Sequence, residues 1–249
     1  MSLTSNIARA KTDYDEVYEA GKQAQYDEFW DAFQQNGNRT DYKYGFAGKG
    51  WSAKTFYPKY DMTVSNTLGM FQEFGSSETS PLNLRERLEE CGVRIFIATT
   101  GQMGNTFYAA YITEIPELDL SAISSLNGTF GNCSSLQTVS FRLSDDGRAY
   151  AQSSAFTGCN RLVNLTITGG VLAKSGLDLS WSKELSKASI QNIVEHLSTT
   201  SSGQSVTFSL TAVNNAFETS SGAANGSTST EWANLIATRS NWTINLLDS

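Results

Sequence analysis

Few residues of this 249-residue chain could carry out acid–base, phosphate or metal chemistry. Its one histidine, His196, stands beside an apolar helical stripe with no nucleophile motif next to it. The segment 45–50 (GFAGKG) holds glycines and a lysine but lacks the GxxxxGK[ST] spacing of a phosphate-binding loop. The pair of aspartates at 145–146 lacks the additional spaced oxygen ligands that calcium needs. We therefore predict no catalytic residue, no cofactor and no metal, and a protein that is not an enzyme.

Three cysteines, Cys91, Cys133 and Cys159, are the only thiols, and they lie 42 and 26 residues apart without a CxxC pair. This spacing matches no zinc site. Cys133 and Cys159 occupy the same position in two related segments, which favours small buried apolar side chains. One disulfide or one reactive thiol are the alternatives.

Recognition by exposed side chains is the chemistry that the sequence favours. Alternation along the predicted strands places one set of side chains on the outer face of a sheet, opposite the apolar positions that point inward. This set mixes both charges with aromatic rings, which suits contact with a protein or a glycan. A merely soluble sheet face is the alternative, and Asp119 could instead cap a turn. The candidate binding surface consists of Tyr57, Lys59, Asp61, Arg94, Phe96, Glu117, Asp119 and Arg142.

The composition narrows the range of partners. The formal net charge is −7 with a pI near 4.8, so the basic stripe of a nucleic-acid-binding protein is missing. No apolar run approaches the roughly 18–20 residues of a membrane helix, so we expect no membrane insertion. The segment 1–14 has no hydrophobic core, which predicts cytoplasmic synthesis without a signal peptide or Sec export.

Internal repeats are the elements that must position the candidate surface. Segments 128–141 and 154–167 share the pattern Phe-x-x-Cys-x-x-Leu-x-x-(Val/Leu)-x-(Phe/Ile), offset by 26 residues. Looser copies begin at Phe46, Phe71 and Phe107. Units of this length cannot bury their own apolar faces and must stack on their neighbours. The Phe, Cys and Leu positions are therefore predicted to form ladders inside the core, with one short strand per unit.

An acidic, amphipathic segment precedes the repeats. Positions 13–35 place Phe29, Trp30 and Phe33 at mostly helical spacing, with Asp and Glu on the opposite face. We predict a helix that either covers the first repeat or mediates homo-oligomerisation. The chain is accordingly divided into an N-terminal helical segment, 1–39, and a repeat region, 40–249.

The Phe-x-x-Cys-x-x-Leu-x-x-Val-x-Ile pattern resembles the BspA-like (Treponema pallidum type) leucine-rich repeats of bacterial surface proteins. The segment 17–51 also looks like a module that precedes such repeats in phage and prophage proteins of gut Firmicutes. The resemblance spans residues 40–247 and is specific in the two segments quoted above. It implies an α/β fold, a right-handed leucine-rich-repeat solenoid with one curved sheet, preceded by the N-terminal helix. The family carries no catalytic residues to transfer.

The resemblance also implies a function and a location. We expect a non-enzymatic recognition or structural module, a phage- or prophage-encoded tail-associated or host-binding protein that meets a host-surface protein or glycan. The alternative is a bacterial cell-surface adhesin or host-interaction protein of the BspA type. The expected location is accordingly the virion, or the extracellular space and cell surface.

Overall fold

The chain folds into short strands and short helices in the computed structural model, which describes residues 21–49, 51–52, 54–97, 103–146, 154–217 and 229–249. The strands are β1 Met62–Val64, β2 Leu82–Asn83, β3 Ile95–Ile97, β4 Ile112–Glu114, β5 Leu118–Asp119, β6 Thr138–Arg142, β7 Asn164–Gly169, β8 Leu177–Leu179, β9 Gln204–Phe208 and β10 Trp242–Leu246. The helices are α1 over 21–33, α2 Leu84–Cys91, α3 Lys187–Glu195, α4 Leu210–Phe217 and α5 Thr230–Ala237, with a 3-10 turn at Gln35–Gly37. The α/β class predicted from the sequence is confirmed.

Every pair of strands in the described ranges runs parallel. β1 pairs with β3, β2–β4–β6–β5 form a row in which β7 also pairs with β6, and β8–β9–β10 form a third sheet. In β6 and β7, Val139, Phe141, Leu165 and Ile167 are buried, whereas Thr166 between them is exposed. This is the predicted alternation, and it determines which side chains point away from the core.

Five phenylalanines stack on one another through the middle of the core. Successive ring centroids lie 5.1, 5.2, 5.5 and 5.0 Å apart, and the ring planes are within 21° of parallel. All five rings are at most 1% exposed. This Phe stack consists of Phe46, Phe71, Phe107, Phe130 and Phe156. The inward ladder expected from the repeat pattern is therefore present, and it includes the looser copies.

The turns that carry these rings are joined by backbone hydrogen bonds. The amide of Phe107, for example, donates to the carbonyl of Thr129 at 2.8 Å, and that of Phe130 donates to Ala155 at 3.0 Å. In each turn the residue two places after the phenylalanine has a left-handed backbone: Gly48, Glu73, Ala109, Asn132 and Gly158. Glycine suits Gly158 in particular, because a Cβ there would lie 2.6 Å from Asn132 Oδ1. One turn geometry therefore recurs five times.

The cysteines are free thiols, so the disulfide alternative is wrong. Cys133 and Cys159 are buried, and their Sγ atoms donate to the carbonyls of Phe107 and Phe130 at 2.9 and 3.0 Å. Each thiol thus joins its own turn to the preceding one. Burial raises the pKa of Cys133 to about 12 and that of Cys159 well above its usual value, which makes both poor nucleophiles.

Helix α1 contacts the repeats through its last turn and through Tyr26, whose ring lies 6.5 Å from that of Tyr57. Trp30 is 1% exposed and meets the rings of Phe46 and Phe56 at 6.1 and 5.7 Å. Phe29, which the spacing assigned to the same apolar face, is 47% exposed. Residues 13–20 of the predicted helix lie outside the described residues.

The C-terminal segment fastens helix α4 to the sheet. Ser209 caps the helix, with its hydroxyl accepting from the amide of Ala212 at 3.2 Å. The carboxylate of Asp248 accepts from the Ser209 hydroxyl and the Thr211 hydroxyl, both at 2.7 Å, and from the Thr211 amide at 3.1 Å. Partial burial raises the pKa of Asp248, but the hydrogen bonds from Thr211 and Ser209 outweigh it and leave that pKa below its usual value.

We expect Asp248→Asn to destabilise the protein by about 1 kcal/mol near neutral pH, since the change weakens a helix cap. A carboxylate with a lowered folded pKa stabilises above its unfolded pKa, about 3.9, and this contribution is lost as the pH falls through the lower folded value. Urea unfolding of both proteins at about pH 7 and about pH 2.5 checks this. Their difference should shrink at the acidic pH, and an equal difference at both would contradict the role of the charge.

Candidate functional site

An open groove lies between helix α2 and the outer face of β3, β5 and β6. It encloses about 710 Å³. Helix α2 is capped at its N-terminus by Asn83, whose side chain accepts from the amide of Glu86, and at its C-terminus by Gly92 in the left-handed conformation. The groove is lined by Arg85, Leu88, Glu89, Val93, Arg94, Ile95, Phe96, Ile97, Glu114, Pro116, Glu117, Asp119 and Ser140. We call it the Phe96 groove. Four of the eight candidate surface residues, Arg94, Phe96, Glu117 and Asp119, line it.

Phe96 is the main aromatic feature of this groove. Its ring is 44% exposed on β3, where it stands in register with Thr63 of β1. The guanidinium of Arg94 lies 5.1 Å from the ring centroid and is held by Asp61, with Arg94 Nη2 2.8 Å from Asp61 Oδ2. Partial burial raises the pKa of Asp61, but the amide and guanidinium of Arg94 lower it below its usual value. The structure therefore joins three predicted residues in one constellation.

The opposite wall presents carboxylates. Glu117 accepts from the hydroxyl of Thr168 at 2.8 Å, and Asp119 accepts from the amide of Ser121 at 3.0 Å. The hydrogen bonds from Ser121 lower the pKa of Asp119. Asp119 is thus both a groove residue and the turn cap named as its alternative role. Arg142 is paired with it in register and forms an ion pair with Asp145 at 2.9 Å, just outside the lining.

Tyr57 and Lys59 belong to a different part of the surface. The Arg87 guanidinium carbon lies 3.4 Å from the centroid of the Tyr57 ring, and Lys59 Nζ is 2.8 Å from Asp31 Oδ1 of helix α1. Strand β1 begins at Met62, so these two residues precede it instead of extending it. They are exposed, as predicted, but they do not line the Phe96 groove.

Helix α2 supplies a wall that the sequence reasoning missed. Arg85 and Glu89 form the rim, and Leu88, 2% exposed, forms part of the floor. Arg85 Nε is 3.2 Å from Glu114 Oε1, so this ion pair spans the groove between α2 and β4. Asn83 followed three residues later by Glu86, with Gly92 at the end, is a helix start and stop signal that could have identified this element.

The chemistry of the groove is that of a contact surface. Two arginines face four carboxylates over a floor of aliphatic side chains, with one half-exposed aromatic ring. Both arginines have carboxylate partners, whereas Glu117 and Asp119 retain accepting capacity toward the groove. Such a site favours apolar groups flanked by hydrogen-bond donors or positive charge.

Within the residues that the structure describes, no group of three His, Cys, Asp or Glu side chains converges as a metal site. The helices in the same ranges are too short or too polar to cross a bilayer.

Comparison with known proteins gives no significant match to a family model, a curated protein or a solved structure.

Proposed function

We propose that this chain is a non-enzymatic recognition module that binds a host-surface protein through the Phe96 groove, as a phage- or prophage-encoded tail-associated component. The observation that carries the proposal is the half-exposed Phe96 ring over an aliphatic floor, bordered by Arg94 on one side and Glu117 and Asp119 on the other. Aromatic and arginine side chains dominate the energetics of protein interfaces, particularly above a well-packed apolar base.

We further propose that the fold is a leucine-rich-repeat solenoid of the BspA-like type. The Phe stack, the recurring left-handed turn residues and the parallel strand pairs support it. A solenoid presents its sheet as a continuous surface, so binding residues come from successive strands and not from a single loop. The Phe96 groove has this character, since β3, β5 and β6 each contribute to it.

In this proposal helix α1 covers the end of the stack. Phe33 and Trp30 of α1 lie against the ring of Phe46, the first ring of the Phe stack, at centroid distances of 5.2 and 6.1 Å. Homo-oligomerisation through the exposed face of α1, which includes Tyr26 and Phe29, is the alternative role for this helix.

A protein partner fits the groove better than a glycan does. Glycan recognition by an aromatic side chain uses an open ring face, but the Arg94 guanidinium stands over the Phe96 ring. The aliphatic floor of Leu88, Val93 and Ile95 instead matches the apolar side chains of a polypeptide. A donor-bearing side chain of the partner would meet Glu117 and Asp119.

Mass spectrometry of phage particles, purified after induction of the strain that encodes this sequence, tests the tail-associated role. We expect peptides of this chain in particles purified by density gradient. A mock preparation from an uninduced culture is the control. If capsid and tail peptides are detected in the particles but peptides of this chain are not, the tail-associated role is contradicted.

The second candidate function is a BspA-type surface adhesin, and protease treatment of intact cells distinguishes it from the tail-associated role. The repeat pattern at Phe130 and Phe156, which resembles that of bacterial surface proteins, favours this interpretation. It predicts peptides of this chain after limited protease treatment of intact, uninduced cells, and none in the particles.

A further inference from the structure

A second groove runs along the edge of the stacked turns, away from the Phe96 groove. One part encloses about 560 Å³ and the adjoining part about 310 Å³, and both are lined by Ser154 and Thr157, so the surface is continuous. The other lining residues of the first part are Leu68, Gly104, Asn105, Tyr108, Asn127, Gly128, Gly131 and Asn132. Those of the second part are Gly176, Leu177, Asp178, Ser205 and Thr207. We call this surface the turn-edge groove.

The turn-edge groove is polar but nearly uncharged. Asp178 is the one ionisable carboxylate or cation among its described lining residues, and the remaining polar groups are amides and hydroxyls. The exposed side-chain amides of Asn105 and Asn127 make no hydrogen bond to other described residues. Each amide offers two donors and an acceptor, which is the combination that pairs with sugar hydroxyls.

Glycines let these polar groups pack closely on the turns. A Cβ at Gly128 would lie 2.4 Å from Asn105 Oδ1, and one at Gly131 would lie 3.1 Å from Tyr108 Cδ2. The absence of side chains at these two positions therefore leaves room for the Asn105 amide and the Tyr108 ring, which line the groove. Asn132 Nδ2 donates to the Tyr108 hydroxyl at 2.7 Å, which fixes the position of the ring.

The groups repeat along the groove because the turns repeat. The backbone N–H of Asn105 donates to the backbone carbonyl of Asn127 at 3.4 Å, and the backbone N–H of Asn132 donates to the backbone carbonyl of Thr157. Successive turns are therefore neighbours at the spacing of parallel strands, about 4.8 Å. A row of similar groups at a regular interval suits a ligand that is itself a polymer.

We propose that the turn-edge groove binds an uncharged oligosaccharide. A protein partner is disfavoured there, since Leu68 and Leu177 are the only aliphatic side chains in the described lining and no arginine is present. A charged polysaccharide would meet Asp178 and no cation in that lining. This site goes beyond the protein-binding role of the Phe96 groove and uses none of its residues.

The test is binding of the purified full chain to an array of neutral microbial oligosaccharides, with sialylated and sulfated glycans alongside. The hit is then titrated by calorimetry against a double variant, Asn105→Gly with Asn127→Ala. Glycine is chosen at 105 because that residue has a left-handed backbone, φ 52°. The matched control is Asn245→Ala, an exposed asparagine on β10 outside the groove.

We expect saturable binding of at least one neutral oligosaccharide, weakened at least tenfold in the double variant and unchanged in Asn245→Ala. No binding to any neutral glycan, a preference for charged glycans, or equal affinity in the double variant would each overturn the proposal. Phe96→Ala should retain the sugar affinity, so failure here and failure of the proposed protein binding are separate results. Thermal unfolding of each variant confirms that it is folded.

Discussion

Phe107→Ala is expected to lower the free energy of unfolding by about 3–5 kcal/mol, as other buried phenylalanine truncations do. The ring is 1% exposed and lies between Phe71 at 5.2 Å and Phe130 at 5.5 Å. Its removal leaves a cavity at the centre of the Phe stack and deprives both neighbours of an aromatic contact. The substitution also removes the ring contacts through which successive repeat turns pack on one another.

Urea unfolding followed by circular dichroism measures this loss. Phe107→Leu keeps most of the apolar volume without the ring stacking, so it should cost about 1 kcal/mol. Leu247→Ala, at a side chain that is 56% exposed, is the surface control and should stay within about 0.5 kcal/mol of the parent. A Phe107→Ala protein as stable as the Leu247→Ala protein would show that the stack does not hold the turns together.

Phe96→Ala is expected to weaken binding to the host-surface protein by about 30-fold while leaving the stability nearly unchanged. Truncation of an aromatic anchor at an interface costs about 2 kcal/mol or more. The ring is 44% exposed, so its loss opens no cavity in the core. The substitution is therefore expected to lower the affinity for the partner and not the stability of the fold.

Titration of fluorescently labelled protein onto intact cells of the encoding strain and its relatives measures this affinity. Trp181→Ala is the matched control, because Trp181 is 37% exposed but does not line the Phe96 groove. Pretreatment of the cells with protease should abolish the binding, as a protein partner requires. Equal affinities for the Phe96→Ala and Trp181→Ala proteins would argue that the groove is not the contact surface.

Much of the core could be predicted from the sequence, since its signals are local and repeated. The spacing of Phe107, Phe130 and Phe156 predicted a ladder, and the stack follows it through the looser copies at Phe46 and Phe71. The alternation of buried and exposed side chains along β6 and β7 was predicted in the same way. In both cases, residues close in sequence carry the whole pattern.

The candidate site was predicted only in part, because long-range contacts decide it. Strand alternation placed Phe96 and Asp119 on the outer face, where both now line the groove. It could not show that Arg87, 30 residues further along the chain, packs on the ring of Tyr57. Nor could it show that Lys59 forms an ion pair with Asp31 of α1. Glu73 and Ala109 have left-handed backbones although neither is a glycine. The turn geometry that the repeats share could therefore not be predicted from the positions of the glycines.

Site-specific photo-crosslinking tests the central claim most directly. The photoreactive residue p-benzoylphenylalanine replaces Phe96 in one protein and Trp181 in another, and both are illuminated on intact cells. Protein-binding through the groove predicts a covalent adduct with one surface protein from position 96, identified by mass spectrometry, and no such adduct from position 181. Identical products from both positions, or none from position 96, would contradict it.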